Sequence, residues 1–253
     1  YNFNFFWKLK MSPSIELVNI DKSFNHKSVL KSVNLKIFKG KSLVIIGRSG
    51  SGKSVLLKCL LGILKPNKGK VYIENNDFFN LDIYNKERLL KKFGVTFQGN
   101  ALFDSLRIWE NISFKINQHE DYSTQKLKEK VELTIKLVGL NDSIFYLYPS
   151  QISGGMQKRV AIARAIIDEP EFLIFDEPTA GLDPVTGSKI NNLIIDNVKR
   201  LGSTSITITH DMDSVKKIAD NVAMINNGEI IWHGDKESLS VSNNKLLNQF
   251  INI

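Results

Sequence analysis

Residues Gly47–Ser54 read GRSGSGKS, with four residues between Gly47 and Gly52 and then lysine and serine directly after. The short apolar run Ser42–Ile46 leads into this turn, and Ser54–Leu64 has the pattern of a helix, closed by Pro66 and Gly69. Strand, glycine-rich loop and helix in that order make a phosphate cradle. The glycines let successive backbone N–H groups turn inward, and the helix that follows points its positive end at the anion. A side chain at Gly52 would obstruct that turn. The loop residues Gly47, Arg48, Ser49, Gly50, Ser51 and Gly52 are therefore phosphate contacts, with Val55 just inside the helix. Lys53 is positioned to neutralise β- and γ-phosphate oxygens, and the Ser54 hydroxyl can ligand Mg2+.

Outward from this loop, Glu171–Phe175 is an apolar strand that delivers Asp176 and Glu177 to its carboxyl end, where open parallel sheets bind ligands. Adjacent carboxylates need different tasks. Asp176 can hold the metal, and Glu177 can polarise an attacking water. An acidic pair after a strand is by itself more often a solvated helix start or a salt-bridge partner, so its weight comes from sharing a chain with the loop at Gly47.

Further buried-strand patterns occur at Phe93–Phe97, Ser205–Thr209 and Val222–Ile225, which together predict a mainly parallel α/β sheet. Alternating residues at Ile15–Ile20 and Val33–Phe38, around a polar turn at Asn25–Ser28, predict a small antiparallel sheet. Between Gln98 and Gly154 the period changes. Leu127, Val131, Ile135 and Val138 recur at helical spacing, which predicts an inserted helical unit. Asn75–Asn85 and Gln118–Thr124 read as polar loops. Leu246, Leu247, Phe250 and Ile251 have helical spacing near the end of the chain.

The 253 residues, 42% hydrophobic, suffice for a substantial core. No apolar run approaches the roughly 18 to 20 residues of a membrane span, since Lys58 interrupts the longest one, Leu56–Leu64. One cysteine, Cys59, excludes an internal disulfide framework and reads as a small buried residue of a reducing, cytoplasmic compartment. The formal charge of +8 comes mostly from dispersed lysines, and its sign alone selects no partner.

Ile152–Ile166, ISGGMQKRVAIARAI, lies just upstream of Phe172–Asp183, FLIFDEPTAGLD. The pair resembles the signature and Walker B segments of ABC transporter ATPases, and the resemblance extends over roughly Ile15–Ile231. It implies the ABC ATPase fold, a P-loop NTPase core with a small antiparallel β-subdomain and an inserted helical subdomain. The implied organisation is a leader at 1–14, an ATPase domain at 15–233 with its helical part at about 99–165, and a tail with a short helix at 234–253. The implied ligands are ATP and Mg2+. Phe24 would stack on adenine, Gln98 would sense Mg2+ and the attacking water, and His210 would contact the γ-phosphate. Ser153, Gly154, Gly155, Met156 and Gln157 would form a second nucleotide contact, offered to another copy across a two-fold interface, with Asp183 in the loop that crosses to it.

Finer features resemble the Mla/Mkl-type phospholipid-transport ATPases: GKSVLLKCLLGILKP from Gly52, GNALFDSLRIWENI from Gly99, and Met156 within the signature. That resemblance implies a peripheral subunit on the cytoplasmic side of the inner membrane, bound to a permease near Gln98 to Trp109, and an MCE-domain substrate-binding protein. The apolar cluster Leu102, Phe103, Leu106, Ile108 and Trp109 would lie on the docking surface or in the subdomain core. Ile152 and the pair Gly99-Asn100 depart from the commoner pattern. Import of a polar amino acid or peptide is the rival cargo. A nucleic-acid partner is not expected, because only about 100 residues separate Lys53 from Ser153, too few for the long coiled-coil insertion of ABC proteins that act on DNA or ribosomes.

Overall fold

The computed structural model describes residues 12–117 and 123–251. The leader expected at 1–14 lies outside them as far as residue 11, and the polar loop expected at 118–124 as far as residue 122. The chain begins with β1 (Ile15–Phe24) and β2 (Lys27–Ile37), an antiparallel hairpin around Asn25 and His26, both at positive φ. Next come β3 (Ser42–Ile46) and α1 (Lys53–Leu60). Then β4 (Lys68–Ile73), the two-residue β5 (Asn76–Asp77) and α2 (Ile83–Lys91) lead to β6 (Phe93–Thr96). Helices α3 (Ile108–Asn117), α4 (Thr124–Leu137) and α5 (Gly154–Ile166) follow. The chain then runs through β7 (Phe172–Asp176), α6 (Pro184–Leu201), β8 (Thr204–Ile208), α7 (Met212–Ile218), β9 (Asn221–Asn226) and β10 (Glu229–Asp235), and ends in α8 (Lys245–Ile251).

One sheet has the order β2-β1-β4-β5 and is antiparallel. The other has the order β10-β9-β3-β8-β7-β6, parallel from β9 through β6, with β10 antiparallel at its edge. The central strands β3, β7 and β8 are buried at every position, which is why they read as continuous apolar runs without alternation. One core fills the space between the sheets around α1, with Ile15, Leu17, Leu56, Leu60 and Ile206. The other lies between the large sheet and the helices, with Ile112, Val131, Ile135, Val160 and Phe175. The helical period read at Leu127, Val131 and Ile135 is the buried face of α4. Gly94 lets α5 rest directly on β6, since a Cβ there would stand only 2.0 Å from the Ala165 carbonyl oxygen.

Three expectations change. The helix after the phosphate loop ends at Leu60, not Leu64, because Gly62 turns the chain at φ +71°, where a Cβ would strike the Phe78 ring. The stretch Asn75–Asn85 is not a loop. It holds β5, a 3-10 turn at Phe78–Asn80 and the start of α2, which Asp82 caps by accepting from the Asn85 N–H at 2.9 Å. Of the apolar cluster after Gln98, only Phe103 is well exposed, at 41%. Ile108 is wholly buried, and Leu102 and Trp109 pack on the helical core.

Candidate active site

The sheet order brings the ends of β3 and β7 to one edge, with β8 between them, and a cavity of about 740 Å3 opens there. Its walls include Arg48, Ser49, Gly50, Gly52, Lys53, Ser54 and Val55 from the loop and α1, Gln98 beyond β6, and Asp176, Glu177 and His210 beyond β7 and β8. Residues more than a hundred positions apart thus face one space. Gly52 adopts φ +112°, and a Cβ there would press on Leu30 and the Val29 carbonyl at 3.0 and 3.1 Å. The steric demand comes from β2 as well as from any ligand.

Lys53 is buried, and its Nζ donates to the carbonyl oxygens of Gly47 (2.6 Å) and Arg48 (3.0 Å). Burial pushes its pKa down, while Glu177 and Asp176 pull it back up. Burial and the neighbouring Glu177 raise the Asp176 carboxyl above its ordinary value; Lys53 and the Gln98 N–H work against that shift. A buried carboxylate pair needs positive charge nearby. Two of its oxygens, Asp176 Oδ1 and Glu177 Oε2, are buried without a hydrogen-bond partner. Orphaned hard oxygens beside the Ser54 hydroxyl and Gln98 fit a Mg2+ ion that takes its remaining ligands from phosphate and water. Among the described residues no three His, Cys, Asp or Glu side chains form a metal cage by themselves.

Glu177 carries a positive φ of +50°. Its side chain is nearly buried, and His210 Nδ1 lies 3.0 Å from both carboxylate oxygens, with the hydrogen bond made to Oε1. A carboxylate held by an imidazole at a cavity wall can orient and deprotonate a water.

The other expected contacts lie elsewhere. Ser153 caps α5, its Oγ accepting from the Met156 N–H at 3.3 Å, and Gly154 and Gly155 begin that helix. None of Ser153 to Gln157 lines the cavity. Gln157 instead binds its own subunit, donating to the Pro149 carbonyl at 2.9 Å. Asp183 caps α6, and hydrogen bonds from Thr186 hold its carboxyl below the ordinary range. It lines a second cavity of about 510 Å3 that shares Glu177 and His210 with the first. Phe24 is half-exposed at the end of β1 under the Lys22 ammonium, 5.3 Å from the ring centre, and is not part of the cavity wall. The aromatic side chain in that wall is Phe250, from the last turn of α8, beside Ile251.

A family model described as ABC transporter matches residues 30–180. The chain belongs to the ABC transporter family. As an ABC protein it is the ATP-binding, ATP-hydrolysing subunit, an ATPase. It is 33% identical over 245 residues to a probable ribonucleotide transport ATP-binding protein, mkl, of Mycobacterium leprae, covering 97% of this chain and 70% of that one. It is 37% identical over 252 residues to the chloroplastic protein trigalactosyldiacylglycerol 3 of Arabidopsis thaliana, covering 93% and 72%. A methionine import ATP-binding protein of Lactobacillus johnsonii is also 37% identical, over 247 residues, covering 95% and 70%. Among solved structures, a dimeric ATP-binding cassette in a post-hydrolysis state with ADP and Pi superposes with TM-score 0.81 at 31% identity, covering 87% of this ABC ATPase and 98% of the other chain.

Sequence reasoning missed Val29, Asp211, Phe250 and Ile251 in the cavity wall, and the side chains of Thr179, Asn191 and Ser214 that are hydrogen-bonded to Asp211 or to one another. The helical spacing of Leu246 to Ile251 signalled a helix but not where it would dock. For Asp211, a capping residue ahead of Met212 was the available signal.

Proposed function

We propose that this ABC ATPase powers phospholipid transport through a separate membrane permease, working as an ATP-sandwiched homodimer at the cytoplasmic side of the inner membrane. The observation that carries the lipid reading is the relation, over 93% of the chain, to a plant protein named for a galactolipid. The dimeric cassette with ADP and Pi supports the two-fold arrangement. Among the described residues no helix is long and apolar enough to cross a membrane; in this reading the permease supplies the cargo path.

In this reading Lys53 and the loop amides hold the β- and γ-phosphates, while Ser54, Asp176 and Gln98 hold Mg2+. The ion neutralises developing charge on the phosphates. Glu177 draws the proton from the attacking water, and His210 steadies Glu177 and faces the γ-phosphate. Ser153, Gly154, Gly155, Met156 and Gln157 of a second copy close over the nucleotide, as an N-terminal helix turn suits an anion. Asp183 crosses beside them. The permease docks on the surface carrying Phe103, and an MCE-domain protein supplies or receives the lipid.

Glu177→Gln should keep ATP affinity within about twofold, lower turnover by at least about a hundredfold and accumulate a closed dimer. Turnover at the wild-type rate would remove Glu177 from the chemistry. Cargo is tested by isolating the complex from membranes and identifying bound lipids by mass spectrometry. A complex free of lipid that binds methionine would favour the second reading, amino-acid import, which the methionine-import relative supports. For the base, Phe24→Ala and Phe250→Ala are to be compared by nucleotide titration. The adenine-stacking role assigned to Phe24 requires the larger loss of affinity from Phe24→Ala.

A further inference from the structure

Behind the Glu177–His210 pair lies a chain of polar side chains drawn from separate elements. Asn191 of α6 donates its Nδ2 to Ser214 Oγ of α7 at 2.9 Å. Ser214 Oγ in turn donates to Asp211 Oδ2 at 2.5 Å, in preference to Asn191 Oδ1 at 3.1 Å, since a hydroxyl has one proton to give. Thr179 Oγ1, in the turn after β7, donates to the same Asp211 oxygen at 3.4 Å and lies 3.3 Å from Ser214 Oγ. The other Asp211 oxygen accepts the Asp213 N–H at 3.0 Å, and the Asp211 N–H donates to Thr209 Oγ1 at 3.0 Å. Ser214 is 0% and Asn191 2% exposed, so the bonds between these two are shielded from water, while Thr179 and Asp211 are half-buried.

The position of the cluster in the chain gives it a consequence. Thr179 is two residues beyond Glu177, and Asp211 directly follows His210. The His210 side chain is largely exposed, and its one hydrogen bond goes to Glu177, so its aim depends on the backbone beneath it. Glu177 sits at φ +50°, a conformation unfavourable for an L residue that persists only where the surroundings fix it. A tether from Thr179 to Asp211 fixes both backbones at once. Burial acts to raise the Asp211 carboxyl, yet the hydrogen bonds from Ser214 and Asp213 hold it below its ordinary value, so it remains an ionised acceptor.

We propose that Thr179, Asp211, Ser214 and Asn191 are positioning residues, a clamp that holds Glu177 and His210 in register for hydrolysis, with Asp211 at the cavity wall committed to its own hydrogen bonds. This rests on the assignment of Glu177 and His210 to the hydrolytic step.

The test uses the full chain with ATP and Mg2+. Thr179→Val keeps the shape and removes the hydroxyl, and should lower kcat about tenfold with KM for ATP unchanged. Thr179→Ser should restore kcat to within about twofold of wild type. In a His210→Ala background, assayed by single turnover, Thr179→Val should lower the rate by no more than about threefold, because one of the two groups it positions is gone and only Glu177 remains. Ser214→Ala should reproduce the Thr179→Val result, and carries the test should Thr179→Val fail to fold. A wild-type kcat in both Thr179→Val and Ser214→Ala overturns the clamp. An equal loss in the His210→Ala background, or a rise in KM that accounts for the whole effect, also overturns it. If Glu177→Gln and His210→Ala themselves turn over at the wild-type rate, the underlying site assignment fails instead. If they are impaired while Thr179→Val is not, the clamp alone fails.

Discussion

An alanine methyl at Gly52 would press on Leu30 and the Val29 carbonyl from a backbone at φ +112°. Gly52→Ala should therefore cost about 1–3 kcal/mol of stability and weaken ATP binding at least about tenfold, read by thermal melting and nucleotide titration. Those two losses have one cause, because the loop is shaped by β2 from behind. At this scale the sequence displayed residues whose chemistry is local: Lys53 and Ser54 follow the glycines directly, and Asp176 and Glu177 follow an apolar strand. Contacts decided by distant parts of the chain could not be read. Asp211 meets Thr179 from 32 residues away, and Phe250 reaches the cavity because Leu247 anchors α8 in the core.

The start of helix α2 fell within the stretch read as a loop because Asn76, Asp77, Asn80, Asp82 and Asn85 crowd its approach and first turn, and Leu89 is its one buried residue. The capping aspartate and a triad at the far end hold it instead. Lys92 caps α2 and binds Glu74 at 2.8 and 2.9 Å and Glu171 at 2.9 Å, joining the small sheet to the strand that bears Asp176. The bond to Glu74 raises the Lys92 pKa against the opposing effect of burial, and the bond to Lys92 lowers that of Glu171. A raised lysine contributes stability fully below its unfolded value near 10.5 and loses it as pH rises through the folded value. A depressed carboxylate contributes above its unfolded value near 4.5 and loses it as pH falls through the folded one. Lys92→Met should thus cost about 1 kcal/mol between pH 5 and 10. The cost should shrink on either side, as measured by urea unfolding at pH 7 and pH 11.

Across the whole molecule, α5 connects two parts of the proposed machinery. Ser153 and two glycines stand at its start, and near its end Arg164 donates to the Asn100 and Ala101 carbonyls at 3.0 and 2.8 Å, just past Gln98. The same guanidinium lies 5.9 Å from the centre of the exposed Phe103 ring. Arg164→Met should leave ATP turnover of the isolated subunit within about twofold, and should reduce its stimulation by the permease about tenfold in a reconstituted complex. Equal stimulation would detach α5 from coupling. A parallel sheet was legible from its buried runs, but its strand order was not, because the pairing of β3 with β8 spans most of the chain. The contact at Gly94 gives α5 its mechanical character. A helix of 13 residues is about 20 Å long, so α5 spans from Ser153 to the carbonyls of Asn100 and Ala101, and at Gly94 it meets β6 without even a methyl group between them, like a beam bolted close to its far end.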